Sequence, residues 1–570
     1  MISVFRPETG AARENPMPHS PHERRDPRIR SYVLPTRVVW HTEGAARPEG
    51  VETLLEPSGV CILVHEGEAP AIVLDFGRGL FGGIRMWVSP GGYSSHEGPV
   101  RLRVRFGETV SEVMCTSGEE ISTLGADVTL AHEGTVELGQ TGFRFVRLQL
   151  IDEGTSGHLC AVEAISVHSE IETRGAFRCS DDLLNRIWEV GAYTLHTCMQ
   201  ECMWNGHEHL WNAVKIDRET SATNLLAALP ALQAAFGMHA LIPGSLGYAR
   251  DEVSASVLHE EPTAEHLSWI IALAAWYQYA GDETHLSGQR EVLLAVLRET
   301  CKCIGPDGRE TISERWDEPG LACLTADTPE AIHAGFQGLT ALALRAGAEL
   351  CHALGETEVQ VECQAAANLL WLHSPAPTSN KYANALLALA GLADMKETNE
   401  RVLRAEPFDG ISPVSGYTVL QARAMAGDIE GGLELIRNYW GGMLDMGATT
   451  FWEHFDPAWK DTYGNIDEIA PAGKQDFQTR TGEDESFVLD LCYSASAGPT
   501  AWLTEHVLGL KPVAPGCDAV MVNPNLAGLD WAEGALPTPH GVVRVRAEKT
   551  ADGRTKIDLD APQSVRIVRG

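Results

Sequence analysis

The sequence predicts three folded parts in the order β, α, β: a β-sandwich, a large helical domain and a small second β-sandwich. Three observations carry this. Short alternating runs cut by Gly and Pro fill the chain up to about residue 170. Near residue 180 the apolar period changes from two to about 3.6. Alternation returns from about residue 511. The length of 570 residues agrees, because one core does not serve so long a chain. Residues 1–30, rich in Pro and charge, are expected to be flexible. The expected parts are then 31–172, 173–508 and 509–570.

The first part rests on "RVVWH", "GVCILVHE", "PAIVLDFG", "GGIRMWVSP", "VRLRVRFGE", "TVELGQTGFRFVRLQLID" and "CAVEAISVHSEI". Seven or so such runs suit an antiparallel sandwich. In "VRLRVRF", Arg101, Arg103 and Arg105 should share one face. The helical part opens at "SDDLLNRIWEVGAYTLHTCMQ". Ser180 reads as its N-cap, with Asp181 and Asp182 in the first turn and Leu183, Leu184, Ile187, Trp188 and Val190 at helical spacing. Further helix candidates include "ETSATNLLAALPALQAAFGMHAL", "AEHLSWIIALAAWYQYAG", "QREVLLAVLRETC", "EAIHAGFQGLTALALRAGAELCHALG", "EVQVECQAAANLLWLH", "NKYANALLALAGLA", "GYTVLQARAMAGDIEGGLELIRNYW" and "PTAWLTEHVLGL". Their number suits a bundle, a solenoid or an α/α toroid, and the lack of a sequence repeat counts against the named solenoids. In the last part "VVRVRAEKTADGRTKIDLD" reads as a hairpin turning at Asp552-Gly553.

The formal net charge of -34 argues against nucleic acid and against anionic membranes, and favours a neutral or cationic ligand. No run reaches the roughly 18 apolar residues that span a bilayer. The N-terminus does not read as a signal peptide. The 13 cysteines are scattered without a CxxC; Cys301 and Cys303 form only a CxC pair. Mostly free, buried thiols in a reducing cytoplasm are expected.

Two segments carry candidate chemistry. "ECMWNGHEHLW", residues 201–211, combines Glu201, Trp204, His207, Glu208, His209 and Trp211. "LDMGATTFWEHFDPAW", residues 444–459, holds Trp452, Glu453, His454, Asp456 and Trp459. Both fall between helices, where a ring of helices gathers loops into a pocket. Indole rings stack on sugar rings, and two carboxylates across a glycosidic bond suffice for its hydrolysis. Each residue also has an ordinary reading. Glu208 reads equally as a solvated loop residue and Glu453 as a surface glutamate beside a core indole. The tryptophans, Cys202 and Met203 read as packing. His207 and His209 with Cys202 and Glu201 form only a weak metal pattern, and no metal is assigned. "SERWDEPG", with Arg315, Trp316 and Asp317, is a third loop cluster of the same character.

Over roughly residues 35–570 the chain resembles the bacterial α-L-rhamnosidases of glycoside hydrolase family 78. The blocks that carry the resemblance are "LPTRVVW", "VLDFGRGLFGGIRM", "RGAFRCSDDLLNRIWEVGAYTL", "GATTFWEHFDPAW" and "LCYSASAGPTAWLTEHVLGLKPVAPG". The resemblance implies an (α/α)6 barrel flanked by β-sandwiches, and hydrolysis with inversion at the anomeric carbon. It makes Glu453, in "TTFWE", the general base that activates water. Glu201 takes the place of the family's leading aspartate, a binder of substrate hydroxyls. "HEHLW" resembles the family's "RDRLVW" and puts Glu208 at the general acid, keeping Leu210 and Glu219 in register; a gap-free count puts His207 there instead. The family's W-x-G-D has become "WNAV", so Asp217 or Glu219 stands in for its aspartate. Its arginine is replaced by Asn205, and its histidine in "LCH" by Tyr493. Trp269 and Trp316 fall where the family has pocket aromatics. These departures touch the groups that hold the sugar, so they affect the glycone more than the reaction class.

The expectation is therefore a hydrolase that needs no cofactor and takes a small glycoside or oligosaccharide, with no nucleic-acid or membrane partner; a homo-oligomer is compatible with it. Apolar neighbours such as Trp204 and Trp211 would keep Glu208 protonated. Two rivals are a lyase, which would need a cation such as Arg218 or Arg315 to hold a uronic acid, and a carbohydrate-binding protein that has lost its acid.

Overall fold

A computed structural model describes residues 28–90, 100–115, 125–130, 133–200, 209–257, 262–315, 328–477, 480–481 and 487–570. The first part is an antiparallel sheet of β1 (Ile29–Val33), β2 (Arg37–His41), β3 (Cys61–His65), β4 (Ala71–Val88), β5 (Arg101–Gly107), β6 (Gly125–Thr129), β7 (Gly134–Leu150) and β8 (Thr155–His168), with a short helix α1 (Val110–Met114) after β5. The path runs β1-β8-β4-β7-β5-β6. Residues Arg37–His41 pair with the first part of β4, while β8 pairs with its second part. Strand β4 thus changes partner along its length, and the strands share a core that includes Ile72, Leu74, Phe106, Phe143 and Val146.

The alternation in β5 holds: Leu102, Val104 and Phe106 are buried, and Arg101 and Arg103 turn to Asp152 and Asp127. Order begins earlier than residue 31, because Ile29 and Arg30 already pair with the edge of β8. Residues 1–27, expected to be flexible, lie outside the described residues.

The helical part contains α2 (Asp182–Cys198), α3 (Ala222–Ala235), α4 (Leu241–Val257), α5 (Ala264–Ala280), α6 (Glu283–Lys302), α7 (Pro329–Leu354), α8 (Thr357–Leu370), α9 (Lys381–Leu389), α10 (Met395–Thr398), α11 (Pro413–Met425), α12 (Ile429–Asp445), α13 (Trp459–Thr462) and α14 (Gly498–Trp502). Helix α3 packs on α5, α5 on α7, α7 on α9, α9 on α11, α11 on α14, and α14 back on α3. That closes a ring. The intervening α2, α4, α6, α8, α10 and α12 lie against its members. The approach of α7 to α9 needs a residue without a side chain: a Cβ on Gly338 would sit 2.7 Å from the Leu386 carbonyl carbon. No described helix is long and apolar enough to cross a membrane.

Two local expectations are corrected, and one helix was not foreseen. The N-cap of α2 is Asp181, whose Oδ1 accepts from the Leu183 and Leu184 amides at 2.9 and 3.4 Å. Ser180 instead receives the Asp530 amide on its Oγ. The single candidate "GYTVLQARAMAGDIEGGLELIRNYW" is two helices, α11 and α12, broken at Gly427, which takes φ +89°. Helix α4 was not anticipated, because Pro243, Gly244 and Gly247 punctuate it.

After α13 a two-residue ladder joins β10 (Arg480–Thr481) and β11 (Phe487–Val488). The last part holds β12 (Leu510–Pro512), β13 (Ala519–Val522) and β17 (Arg566–Arg569) in one sheet. A second sheet runs β16 (Thr555–Asp560), β15 (Gly541–Lys549), β14 (Trp531–Thr538) and β9 (Ala176–Cys179). The expected hairpin is present, with Gly553 at φ +80° in the turn between β15 and β16. Strand β9 comes from the chain just before α2, so the last part is completed by a strand from far upstream.

Candidate active site

Three chain segments meet at one end of the helical ring. They are the stretch from His209 to Ser221, between α2 and α3; the stretch after α12 that carries Phe451–Phe455; and Leu489–Tyr493, before α14. Backbone bonds tie them together. The Tyr493 amide donates to the Phe451 carbonyl at 2.9 Å, the Ser494 amide to Asn212 at 2.7 Å, and the Glu453 amide to Asp490 at 3.0 Å. The first segment also folds on itself, with the Ala213 amide 2.7 Å from the Asp217 carbonyl. The inner helices begin at this end. Asn224, in the first turn of α3, donates to the Tyr493 hydroxyl at 2.7 Å. Glu265, in the first turn of α5, accepts from the Ala222 amide and the Thr223 hydroxyl, each at 2.5 Å.

The convergence gathers carboxylates. The Asp490 amide donates to Glu453 Oε2 at 3.4 Å. Asp490 itself is buried and accepts the Ile216 and Asp217 amides, both at 3.2 Å. Asp217 accepts from Asn212 Nδ2 at 3.0 Å and from the Tyr493 hydroxyl at 3.3 Å. Burial, then the like charge of Asp490, pushes Glu453 up to about 8. Burial likewise holds Asp490 up at about 6, against backbone donors and the nearby cation of Lys215 that favour its charge. Burial keeps His454 biased toward its neutral form.

Next to this cluster lies a buried cation. Lys215 Nζ bonds Glu112 Oε1 and lies 3.8 Å from Glu108 Oε2. Glu108 accepts the Leu491 amide at 3.2 Å and is raised to about 8 by burial. Both glutamates come from the first part of the chain: Glu112 lies in α1 and Glu108 just before it. That helix also docks on the chain just after α13, with the Val110 amide 2.8 Å from the Ile466 carbonyl. A second bridge runs through buried Asp75, which accepts two bonds from Arg144 at 2.8 and 2.9 Å; Arg144 in turn donates to the Gly447 carbonyl at 2.8 Å.

The candidate residues divide into four groups. Glu453, Asp217 and Tyr493 come together in the cluster. Glu201, Trp204, His207, Glu208 and Trp316 lie outside the described residues, as do Cys202, Met203, Asn205 and Asp317. His209 is buried and stacks on Tyr248 at 4.5 Å, and Trp211 packs edge-on to Phe81 at 5.2 Å. Glu219 is exposed, and its carbonyl accepts the Asn212 amide at 2.8 Å. Trp269 and Trp452 are fully buried. The Trp269 indole N–H is spent on the Leu246 carbonyl at 3.1 Å, and Trp452 packs on Phe455 and Phe477. Both are core in this structure and present no open ring face. Among the described residues no three His, Cys, Asp or Glu side chains group as a metal site.

Sequence reasoning missed Asp490, Lys215, Glu108, Glu112, Asn212 and Asn224. The signal for Asp490 was a lone acid inside "FVLDLCY", an apolar run that buries whatever it carries. Chemically, the arrangement offers several carboxyl groups that exchange protons near neutral pH. General acid and base work requires that.

The fold has counterparts among known proteins. Residues 509–568 match the family model described as the bacterial alpha-L-rhamnosidase C-terminal domain. An alpha-L-rhamnosidase of Alteromonas sp. (strain LOR) is 30% identical over 115 residues, 20% of this chain and 10% of that protein. Among solved structures, the family 78 rhamnosidase of Bacillus sp. GL1 superimposes with a TM-score of 0.73 at 19% identity, over 92% of this chain and 55% of that one. A Klebsiella oxytoca rhamnosidase with rhamnose bound gives 0.66 at 19% identity, over 84% and 96%. The Streptomyces avermitilis alpha-L-rhamnosidase, complexed with L-rhamnose, gives 0.69 at 16%, over 95% and 50%. The chain thus spans a tenth of the curated relative and about half of the Bacillus structure. It shares the fold of these solved α-L-rhamnosidases, and its residues 509–568 match the model of a bacterial alpha-L-rhamnosidase C-terminal domain.

Proposed function

We propose that the protein is an exo-acting glycoside hydrolase that releases terminal α-L-rhamnose, or a closely related sugar, from a small glycoside with inversion. In this reading the closed helical ring is an (α/α)6 barrel, and the two β parts are sandwiches that flank it. Glu453 is the general base. It takes a proton from the water that attacks the anomeric carbon, while Glu208 protonates the leaving oxygen from the opposite face. Asp217 and Tyr493, with Glu201, Trp204, His207, His209, Trp211 and Glu219 along the same segment, surround the glycone. Trp316 remains a subsite candidate, and Trp269 and Trp452 support from behind. The cysteines, free among the described residues, suit a reducing cytoplasm.

The observation that carries the reading is the position of Glu453. It sits where three segments converge, beside Asp490 and Asp217, at the end of the ring where α3, α5, α11 and α14 begin. A panel of aryl glycosides tests it, with NMR identifying the first-formed anomer. The expected result is β-L-rhamnose from the α-L-rhamnoside, with Glu453→Gln and Glu208→Gln each losing about 10²–10⁴-fold in kcat. Retention of configuration overturns the mechanism. Sugar binding without turnover by the wild type supports the non-catalytic rival.

One observation favours a second assignment. A carboxyl held up at about 8 is a proton donor at neutral pH. If Glu453 is the base, kcat/KM rises as pH passes about 8; if it is the acid, kcat/KM falls there.

A further inference from the structure

Lys215 stands out as a charge the proposed reaction does not use. It is buried. Its ammonium bonds Glu112 and lies 3.8 Å from Glu108, both contributed by the N-terminal β part. The two residues after it, Ile216 and Asp217, present their amides to the Asp490 carboxylate at 3.2 Å. Asp490 in turn exchanges backbone and side-chain bonds with Glu453. One continuous path therefore leads from the β part, through Lys215 and Asp490, to Glu453.

We infer that Lys215, clamped by Glu112 and Glu108, is a positioning residue that holds Asp490 charged and in place behind Glu453, so that the N-terminal β part is a working half of the active site. This rests on the proposed role of Glu453. A burial argument supports it. A lone ammonium is not stable in such a place, and an acid pair alone would be expelled or protonated; together they form a fixed charge set. Glu112 is tied down a second time, since its Oε2 accepts the Glu108 amide at 2.7 Å. The Glu112 amide bonds the Thr109 hydroxyl at 3.0 Å, so the helix that presents it is capped.

The charges facing this path come from every neighbouring element. Glu453 faces Asp490 and Asp217. Asp490 faces Asp217 and Lys215, with Arg218 and Glu108 in range. Lys215 faces Glu112, Glu108 and Asp490. The Cys492 thiol, adjacent in the chain, feels Glu108 and Asp490 as well, and burial keeps it protonated. Removing the cation leaves Asp490 and Glu453 as two like charges with one fewer counter-charge, so the proton that leaves last from the pair leaves at higher pH. Removing Glu108 takes away a negative neighbour and acts in the opposite sense.

The experiment uses the full chain. The double variant E112Q/K215M replaces the bonded ion pair by neutral side chains; Glu108, which loses the same cation, is pushed further toward its neutral form. In it the pH limb of kcat/KM assigned to Glu453 should move up by about one unit, with kcat falling more than KM rises. E108Q should move the same limb down. The carboxyl resonance of Glu453, assigned by its loss in E453Q, should shift its titration midpoint in the same two directions in ¹³C NMR. That readout stands even where a variant is inactive. Circular dichroism confirms that each variant is folded; if the double variant does not fold, the E108Q midpoint alone decides. An unmoved limb and midpoint in folded variants overturn the inference while leaving the hydrolase reading intact. A wild type that hydrolyses none of the glycosides overturns that reading instead, and the NMR midpoints then judge the link between Lys215 and Glu453 on their own.

Discussion

Glu453→Gln should make the protein more stable at high pH while disabling it. Glu453 is raised from the ordinary glutamate value of 4.5 to about 8, mainly by burial and then by the charge of Asp490. The folded chain therefore binds this proton more tightly than the unfolded chain. Stability from this group is complete below the unfolded-state value near 4.5 and is lost as pH rises through about 8. A rise of that size corresponds to about 5 kcal/mol between the two protonation states. Two things reduce it. The charge of Asp490 interacts with the same proton, and Glu453 keeps a side open to solvent, so about 2 kcal/mol is the expected net effect. Glutamine keeps the shape of the neutral acid and cannot ionise. Urea denaturation followed by tryptophan fluorescence, at pH 5 and pH 9, reads the difference. The wild type should lose about 2 kcal/mol more than the variant between the two values, and at pH 9 the variant should be the more stable. If the two lose stability in parallel, the carboxyl is not held in its neutral form, and the electrostatic picture of the cluster fails.

Asp75→Asn should cost about 3–5 kcal/mol, because Arg144 is left buried with half its partner. Arg144 and burial oppose each other at Asp75 and the arginine prevails, so the carboxyl is lowered; its stabilisation is present above the usual aspartate range and is lost as pH falls through the folded value. Acid titration of the melting temperature checks both points. Gly338→Ala should destabilise by about 1–3 kcal/mol, because the new Cβ meets backbone in α9 and not a side chain that can turn away; thermal denaturation reads it. Tyr493→Phe leaves Asp217 and Asn224 each short of a partner, so kcat/KM should fall about tenfold with the fold retained.

The order of parts was legible because it depends on period alone. "VRLRVRF" alternates and lies in a sheet with its apolar side buried; "TADGRT" turns a hairpin because Gly553 can take a positive φ. Helix α4 was not legible, since Pro243, Gly244 and Gly247 argue locally against a helix that α5 and α6 nonetheless hold in place. At the site, Glu453 was visible through its motif and Asp217 through its neighbourhood. Lys215 and Glu112 were not. They lie 103 positions apart, and nothing in "AVKIDRE" or "TVSEVM" marks a pair that only the docking of α1 brings together. Trp452 and Trp269 illustrate the converse. An indole beside a carboxylate in sequence points as readily into the core as toward a ligand, and here both are buried.

The distribution of charge at the site also bears on what it accepts. The ends of α3, α5, α11 and α14 that gather there are N-termini, which carry partial positive charge and tolerate a concentration of carboxylates. Those carboxylates would repel an acidic sugar. A lyase overcomes that repulsion with a cation free to meet the uronate, yet the two basic residues of the first loop are engaged elsewhere. Lys215 is held by Glu112 and Glu108. Arg218 donates to the Val214 and Gln140 carbonyls at 3.2 and 2.9 Å and lies over the rings of Phe81 and Trp211. A neutral ring with many hydroxyls meets no such penalty, since Asp217 and Glu453 can accept its O–H donors while the tyrosine and asparagines around them donate or accept in turn. Within the proposed function, the fixed charges of Lys215, Arg218, Asp217 and Glu453 suit a neutral glycone, such as a deoxyhexose, better than a uronic acid. They do so through residues that no single motif contains.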